Sequence, residues 1–158
     1  MGENKQNLKL TIELVPETSF FNNIREYVSQ EEWDIIRKKS YSESNHKCAI
    51  CGAKGTLNCH EIWDYDDKNY IQKLVGFIAL CKNCHSIKHI GFTKLQANKG
   101  LLKLSDVIEH FCIINECNIE KFKEHHDEAF EKWSERSEHD WKVDFGDYTE
   151  IIQKNLKE

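Results

Sequence analysis

The chain has 158 residues, 39% hydrophobic and 31% charged, with a net charge of −5. That suits one compact domain with extensions and excludes wholesale disorder or a strongly basic nucleic-acid binder. No apolar run approaches the roughly 20 residues that span a bilayer, and MGENKQNLKL lacks a signal-peptide core, so a cytoplasmic protein with no membrane partner is expected.

In chain order, Leu8, Leu10, Ile12 and Leu14 alternate with polar residues up to Pro16, which predicts a half-buried strand ended by proline. Thr18 or Ser19 can cap a short helix carrying Phe20, Phe21, Ile24 and Tyr27. Ser29 with Glu32 is a capping box that opens a helix through Trp33, Ile36 and Ser40. Residues 56–62 read as a strand, 64–70 as a polar loop and 74–80 as a short buried strand. From Cys84 the pattern is helical until Asn98-Lys99-Gly100 stops it. Ser105 can cap a helix with Val107, Ile108, Phe111 and Ile114 on one side, and Asn118 a longer one with Phe122, Phe130 and Trp133. Residues 141–145 alternate and end at Gly146, as a strand would.

These elements predict an α+β fold in three parts. Residues 1–47 supply an N-terminal strand and helices, 48–100 a cysteine-rich module, and 101–158 a helical extension ending in a strand. The charge divides along the same lines: −1, then +3 from 7 Lys/Arg against 4 Asp/Glu, then −7 from 8 against 15. The middle part is therefore the one suited to phosphates, and the acidic C-terminal helices suit a protein partner.

Seven cysteines in an intracellular chain point to metal ligation before disulfides. Cys48-x-x-Cys51 and Cys81-x-x-Cys84 are two knuckles, and four thiolates around Zn²⁺ make a closed tetrahedral structural site. Cys112 and Cys117 read as buried helix residues. On a helix starting at Cys84, His85 and His89 share a face and can bind one ion. His60, in Asn58-Cys59-His60-Glu61-Ile62, lies on a strand that would run beside the one entering Cys81. Three protein ligands with open positions describe a catalytic rather than a structural metal site.

These segments resemble the HNH endonuclease family, whose core is the ββα-metal fold. The likeness rests on Cys48/Cys51, on Leu57-Asn-Cys-His60-Glu-Ile62, and on Leu80-Cys-Lys-Asn-Cys84-His85-x-x-x-His89. It extends to a His-Glu-hydrophobic-Trp segment, His60 to Trp63, found in some bacterial members. The resemblance implies a metal-dependent nuclease acting on nucleic acid, DNA above all, with His60, His85 and His89 on the catalytic cation. Aligned on Leu57 and Ile62, Glu61 occupies the slot of the family's general-base histidine, and Gly76 that of its asparagine. Glu61 is then base or fourth ligand, or else the unit survives as a catalytically inactive zinc-stabilised module that binds nucleic acid or a protein partner. A His-rich site favours Zn²⁺, Mn²⁺ or Ni²⁺ over Mg²⁺ as the second divalent cation.

Of the remaining residues, Asp64 can add a ligand, and Trp63 or Tyr65 can stack on a base. Lys82, Lys88 and Lys94 can meet phosphates. Asp66, Asp67, His125 and His126 read as surface residues, and His46 as a minor candidate beside the first knuckle.

Overall fold

A computed structural model of the chain describes residues 7–20 and 23–157. It is mixed α and β, with a three-stranded sheet in the order β1-β2-β3. Strands β1 (Leu57–Asp66) and β2 (Ile71–Cys81) form an antiparallel hairpin running from Leu57 opposite Cys81 to Asp66 opposite Ile71. The short β3 (Lys142–Asp144) lies parallel to the first three residues of β2. Helix α1 (Gln30–Glu43) precedes the hairpin. Helices α2 (Lys82–Lys88), α3 (Ile90–Asn98), α4 (Leu104–Asn115) and α5 (Ile119–Arg136) follow it, and α6 (Thr149–Lys157) ends the described chain. Among the described residues no helix is long and apolar enough to cross a membrane.

Local chemistry explains most boundaries. Ser29 and Glu32 form the complete capping box of α1, side chain to backbone in both directions. Asn118 caps α5 by accepting from the Lys121 N–H at 3.0 Å. Ser105 does not cap α4: the helix begins at Leu104, two residues earlier than that cap implies, behind Lys103, and has no side-chain cap. The polar loop expected over 64–70 shrinks to four residues, because Trp63 and Tyr65 continue the alternation of β1 and pack on Phe145 and Trp141. Asp66 closes the turn, its carboxylate accepting from the Lys68 and Asn69 N–H groups at 3.0 and 3.1 Å. β3 ends at Asp144, two residues before Gly146, whose φ of +56° favours glycine and where a Cβ would stand 2.8 Å from the Leu74 carbonyl oxygen.

The hairpin separates two cores. On one face Ile78 and Leu80 pack with Leu10, Ile12, Ile87, Ile90, Val107 and Phe111. On the other, Leu74, Phe77 and Trp63 meet Ile24, Trp33, Ile36 and Ile152. Helix α6, which no sequence signal marked, belongs to this second core through Ile152.

The strand predicted over Leu8–Leu14 does not form: this segment has no regular secondary structure, bends at Lys9–Leu10 and is not part of a sheet. Its alternation is genuine, since Leu10 and Ile12 are buried. No strand lies beside it, and side chains take over the ladder's role. Asn115 accepts from the Leu10 N–H and donates to the Leu10 carbonyl, both at 2.9 Å, and His125 accepts from the Ile12 N–H at 2.9 Å. Asn115→Leu removes both of its bonds and strands two backbone groups in the core, so a loss of about 2–3 kcal/mol is expected in denaturant unfolding. A change below ~0.5 kcal/mol would mean water replaces the amide. Of the short helix predicted over Phe20–Tyr27, two 3₁₀ turns form, Glu17–Ser19 and Ile24–Glu26, and Phe21 lies outside the described residues.

Candidate metal centre

Two clusters of metal-ligating side chains meet at the junction of the hairpin with α2. The first contains Cys48, Cys51, Cys81 and Cys84, whose sulfurs all lie within 4.8 Å of one another. Cys48 and Cys51 sit on the turn before β1, closed by hydrogen bonds from Cys48 N to Ala53 O and from Gly52 N to Cys48 O, both 2.9 Å. The Ala49 N–H donates to Ala79 O at 2.9 Å and fixes that turn to β2. Cys81 ends β2 and caps α2, its sulfur accepting from the Cys84 N–H at 3.4 Å. A strand end, a helix start and a pinned turn thus converge without any long-range coincidence.

The cluster's electrostatics suit a cation. Burial opposes ionisation of Cys48, but the backbone N–H groups of Cys51, Cys81 and Ile50 outweigh it and bring its thiol down to about 7. Burial, then the charges of Cys48, Cys81 and Cys51, push the Cys84 thiol up. A metal ion relieves these opposed demands by stabilising every thiolate at once. His110, from α4, lies 3.2 Å from the Cys84 sulfur.

The second cluster contains His60, His85 and His89, again with one ring nitrogen each inside a 4.8 Å set. His60 stands opposite Ile78 in the hairpin and is 6% exposed. His85 lies in α2 and His89 ends it, four residues later. Ring centroids are 5.5 Å apart for His60–His85, 4.9 Å for His60–His89 and 4.7 Å for His85–His89. The helix breaks at His89, with φ −107° and ψ 47°, and the Thr93 hydroxyl donates to the Ser86 carbonyl across the break at 2.7 Å. Burial first, and the neighbouring His60 second, lower both His85 and His89 to about 4. Both are therefore neutral at pH 7 with a lone pair to offer.

Glu61 is not among these groups. Successive strand residues face opposite ways, and Glu61 points with Cys59 and Trp63 toward α1. There its carboxyl takes a hydrogen bond from the Ile24 backbone and lies near Arg25, with one oxygen buried and unpartnered. Burial raises it to about 7 despite those two favourable contacts. As base or fourth ligand for the histidines it is misplaced by the pleat of the strand itself. Cys59 shares that face, accepting from the Ser40 hydroxyl at 3.4 Å. Gly76 pairs with Ile62 where the register shifts, and a Cβ there would meet open space.

The residue that sequence reasoning missed is Glu13, in the N-terminal segment. His60 Nε2–H donates to Glu13 Oε2 at 2.8 Å, and Lys88 Nζ donates to Glu13 Oε1 at 2.7 Å and to Thr11 Oγ1 at 3.0 Å. Burial opposes its ionisation, but the His60 hydrogen bond and the Lys88 charge hold its carboxyl down at about 2. Lys88 is consequently buried and turned away from any phosphate.

The other candidates lie apart. Asp64 is exposed toward the far end of β1. Asp66 belongs to the hairpin turn, and Asp67 receives both the Arg136 guanidinium, at 2.8 and 2.9 Å, and Lys132 at 3.3 Å. Tyr65 is covered by Arg136, 4.3 Å above its ring, and is not open for stacking. Lys82 is exposed at the start of α2, whereas Lys94 donates to His126 and lies over the Phe130 ring. His125 is half-buried, stacked on Phe111, so it is not the surface residue expected. His46 is exposed and outside the thiol set, and Cys112 and Cys117 are half-buried around the end of α4.

Comparison with protein-family models, with curated proteins and with solved structures finds no match for this chain.

Proposed function

We propose that the chain is a zinc-braced, metal-dependent endonuclease of HNH type that hydrolyses phosphodiester bonds in DNA. One observation carries the reading: a hairpin and the helix after it bring three histidines within 4.8 Å, directly beside four cysteines equally close. In a tetrahedral zinc–thiolate centre with bonds of about 2.3 Å, the sulfurs stand about 3.8 Å apart. The Cys51–Cys81 separation of 3.6 Å fits that spacing. Four sulfur donors leave no open position, so this ion is structural.

Three imidazoles leave positions open, and nitrogen donors favour Zn²⁺, Mn²⁺ or Ni²⁺ over Mg²⁺. A divalent cation there would supply an activated water and neutralise charge on the phosphate. The protein's own part is to present three imidazoles, those of His85 and His89 neutral at pH 7, held by burial and by the rigid hairpin–helix junction. The segment around them carries the chain's only positive balance, +3 against −7 in the tail, which directs a phosphodiester backbone to this part of the molecule.

A catalytically inactive zinc-stabilised module, binding nucleic acid or a protein partner, is the alternative. The placement of Glu61 favours it, because the residue in the family's base slot is turned to the opposite face and Gly76 offers no side chain.

Nicking of supercoiled plasmid separates the two. Wild type, His85→Ala and Glu61→Gln would be assayed with Mg²⁺, Mn²⁺, Ni²⁺ and Zn²⁺ and with chelator. The nuclease reading expects cleavage that needs metal, disappears in His85→Ala and persists in Glu61→Gln. A folded, zinc-loaded protein that cuts with no ion would instead be the binding module.

A further inference from the structure

A segment distant in sequence reaches the histidine cluster at His60. Residues 11–13 are tied to Lys88, the residue before His89, through three hydrogen bonds. The Glu13 N–H donates to the Lys88 carbonyl at 3.2 Å, and Lys88 Nζ donates to Thr11 Oγ1 at 3.0 Å and to Glu13 Oε1 at 2.7 Å. Lys88 keeps only 6% of its side chain exposed, so this contact is not a surface pair that solvent exchanges freely. The second carboxylate oxygen is thereby aimed at His60, 2.8 Å from Nε2.

We propose that Glu13 is a positioning residue of the metal centre, fixing His60 in the tautomer that directs Nδ1 toward the ion. The inference rests on the reading that the three histidines hold a cation. A carboxylate accepts hydrogen bonds and donates none, so His60 carries a proton on Nε2, and Nδ1 is the nitrogen left to face an ion. The negative charge also makes the imidazole a stronger donor to a metal. Glu13 is not itself in the ligand set: the atoms within 4.8 Å of one another are those of His60, His85 and His89, and both of its oxygens are already engaged. Lys88 in turn acts on Glu13, fixing the carboxylate's direction.

The test must separate positioning from folding, because Glu13→Gln leaves the buried Lys88 ammonium without a counter-charge, a change that destabilises by itself. Ni²⁺ would be titrated calorimetrically into zinc-loaded wild type, Glu13→Gln, Lys88→Met and the Glu13→Gln/Lys88→Met double variant, with Tm recorded for each. A glutamine amide presents N–H as readily as C=O and carries no charge, so it does not enforce the tautomer. Glu13→Gln is expected to weaken Ni²⁺ binding about tenfold or more. The double variant should regain Tm yet keep the weak binding, while Lys88→Met alone retains most of the affinity. A double variant that binds Ni²⁺ as tightly as wild type would overturn the proposal and leave Glu13 a structural partner of Lys88. Wild type that takes up no second ion would overturn both the proposal and the reading beneath it.

Discussion

Replacing Cys84 by serine is expected to abolish stable zinc retention and cooperative unfolding together. Cys84 is fully buried and belongs to the core that joins the N-terminal segment to Leu80, Ile87 and Phe111. A structural zinc contributes an apparent ~10–16 kcal/mol near neutral pH, comparable to the ~5–15 kcal/mol by which a domain of this kind is stable. A ligand loss that releases the ion therefore removes most or all of what the fold holds in reserve. The expected readout is a broad thermal transition, weak near-ultraviolet tryptophan signal and no zinc after dialysis. Cys112→Ser, outside the sulfur cluster, should leave metal content and Tm close to wild type. A Cys84→Ser protein that melts sharply near the wild-type Tm would show that the fold does not depend on the ion.

The second large effect is on chemistry. His89→Ala removes one of the three proposed ligands at the end of α2, where the helix is already broken and a smaller side chain fits without disturbing the sulfur cluster. Cleavage should fall by roughly 10³-fold or more, because a bound cation supplies several kcal/mol of charge stabilisation to the transition state. Zinc content and the circular dichroism spectrum should be unchanged. The His85→Ala/His89→Ala double variant should cut no more slowly than either single one, since residues serving one ion fail as a unit. Near-wild-type cleavage by His89→Ala would remove the histidines from the reaction.

What the sequence reveals here follows from how local each interaction is. The capping box of α1 and the Asn118 cap of α5 lie within three residues and read directly. The knuckle spacings and the four-residue separation of His85 and His89 are equally local, and the hairpin shows in residues 56–62 and the apolar run 74–80, but not in its outer ends at 64–66 and 71–73. The facing of Glu61 was legible in principle, since adjacent strand residues face opposite ways, but its slot in the family pattern pointed to the cation instead. Glu13 was not legible, because its contact with His60 spans 47 positions and depends on the path of a segment without regular structure. That segment's alternation is the same whether a strand or the side chains of Asn115 and His125 satisfy its backbone. Helix α6 is short and polar, and what gives it a place is long-range: Ile152 joins the core of Trp33 and Leu74, and Asn155 donates to the Tyr27 carbonyl and the Glu32 carboxylate.

A zinc-braced nuclease of this kind needs two separate ions on one hairpin–helix unit. Native mass spectrometry of wild type and His89→Ala, each exposed to excess Ni²⁺ and then desalted, counts them directly. The expected result is two ions on wild type, one zinc and one nickel, and the zinc alone on His89→Ala. A single ion on both proteins would contradict a second metal centre, and with it the nuclease built upon it.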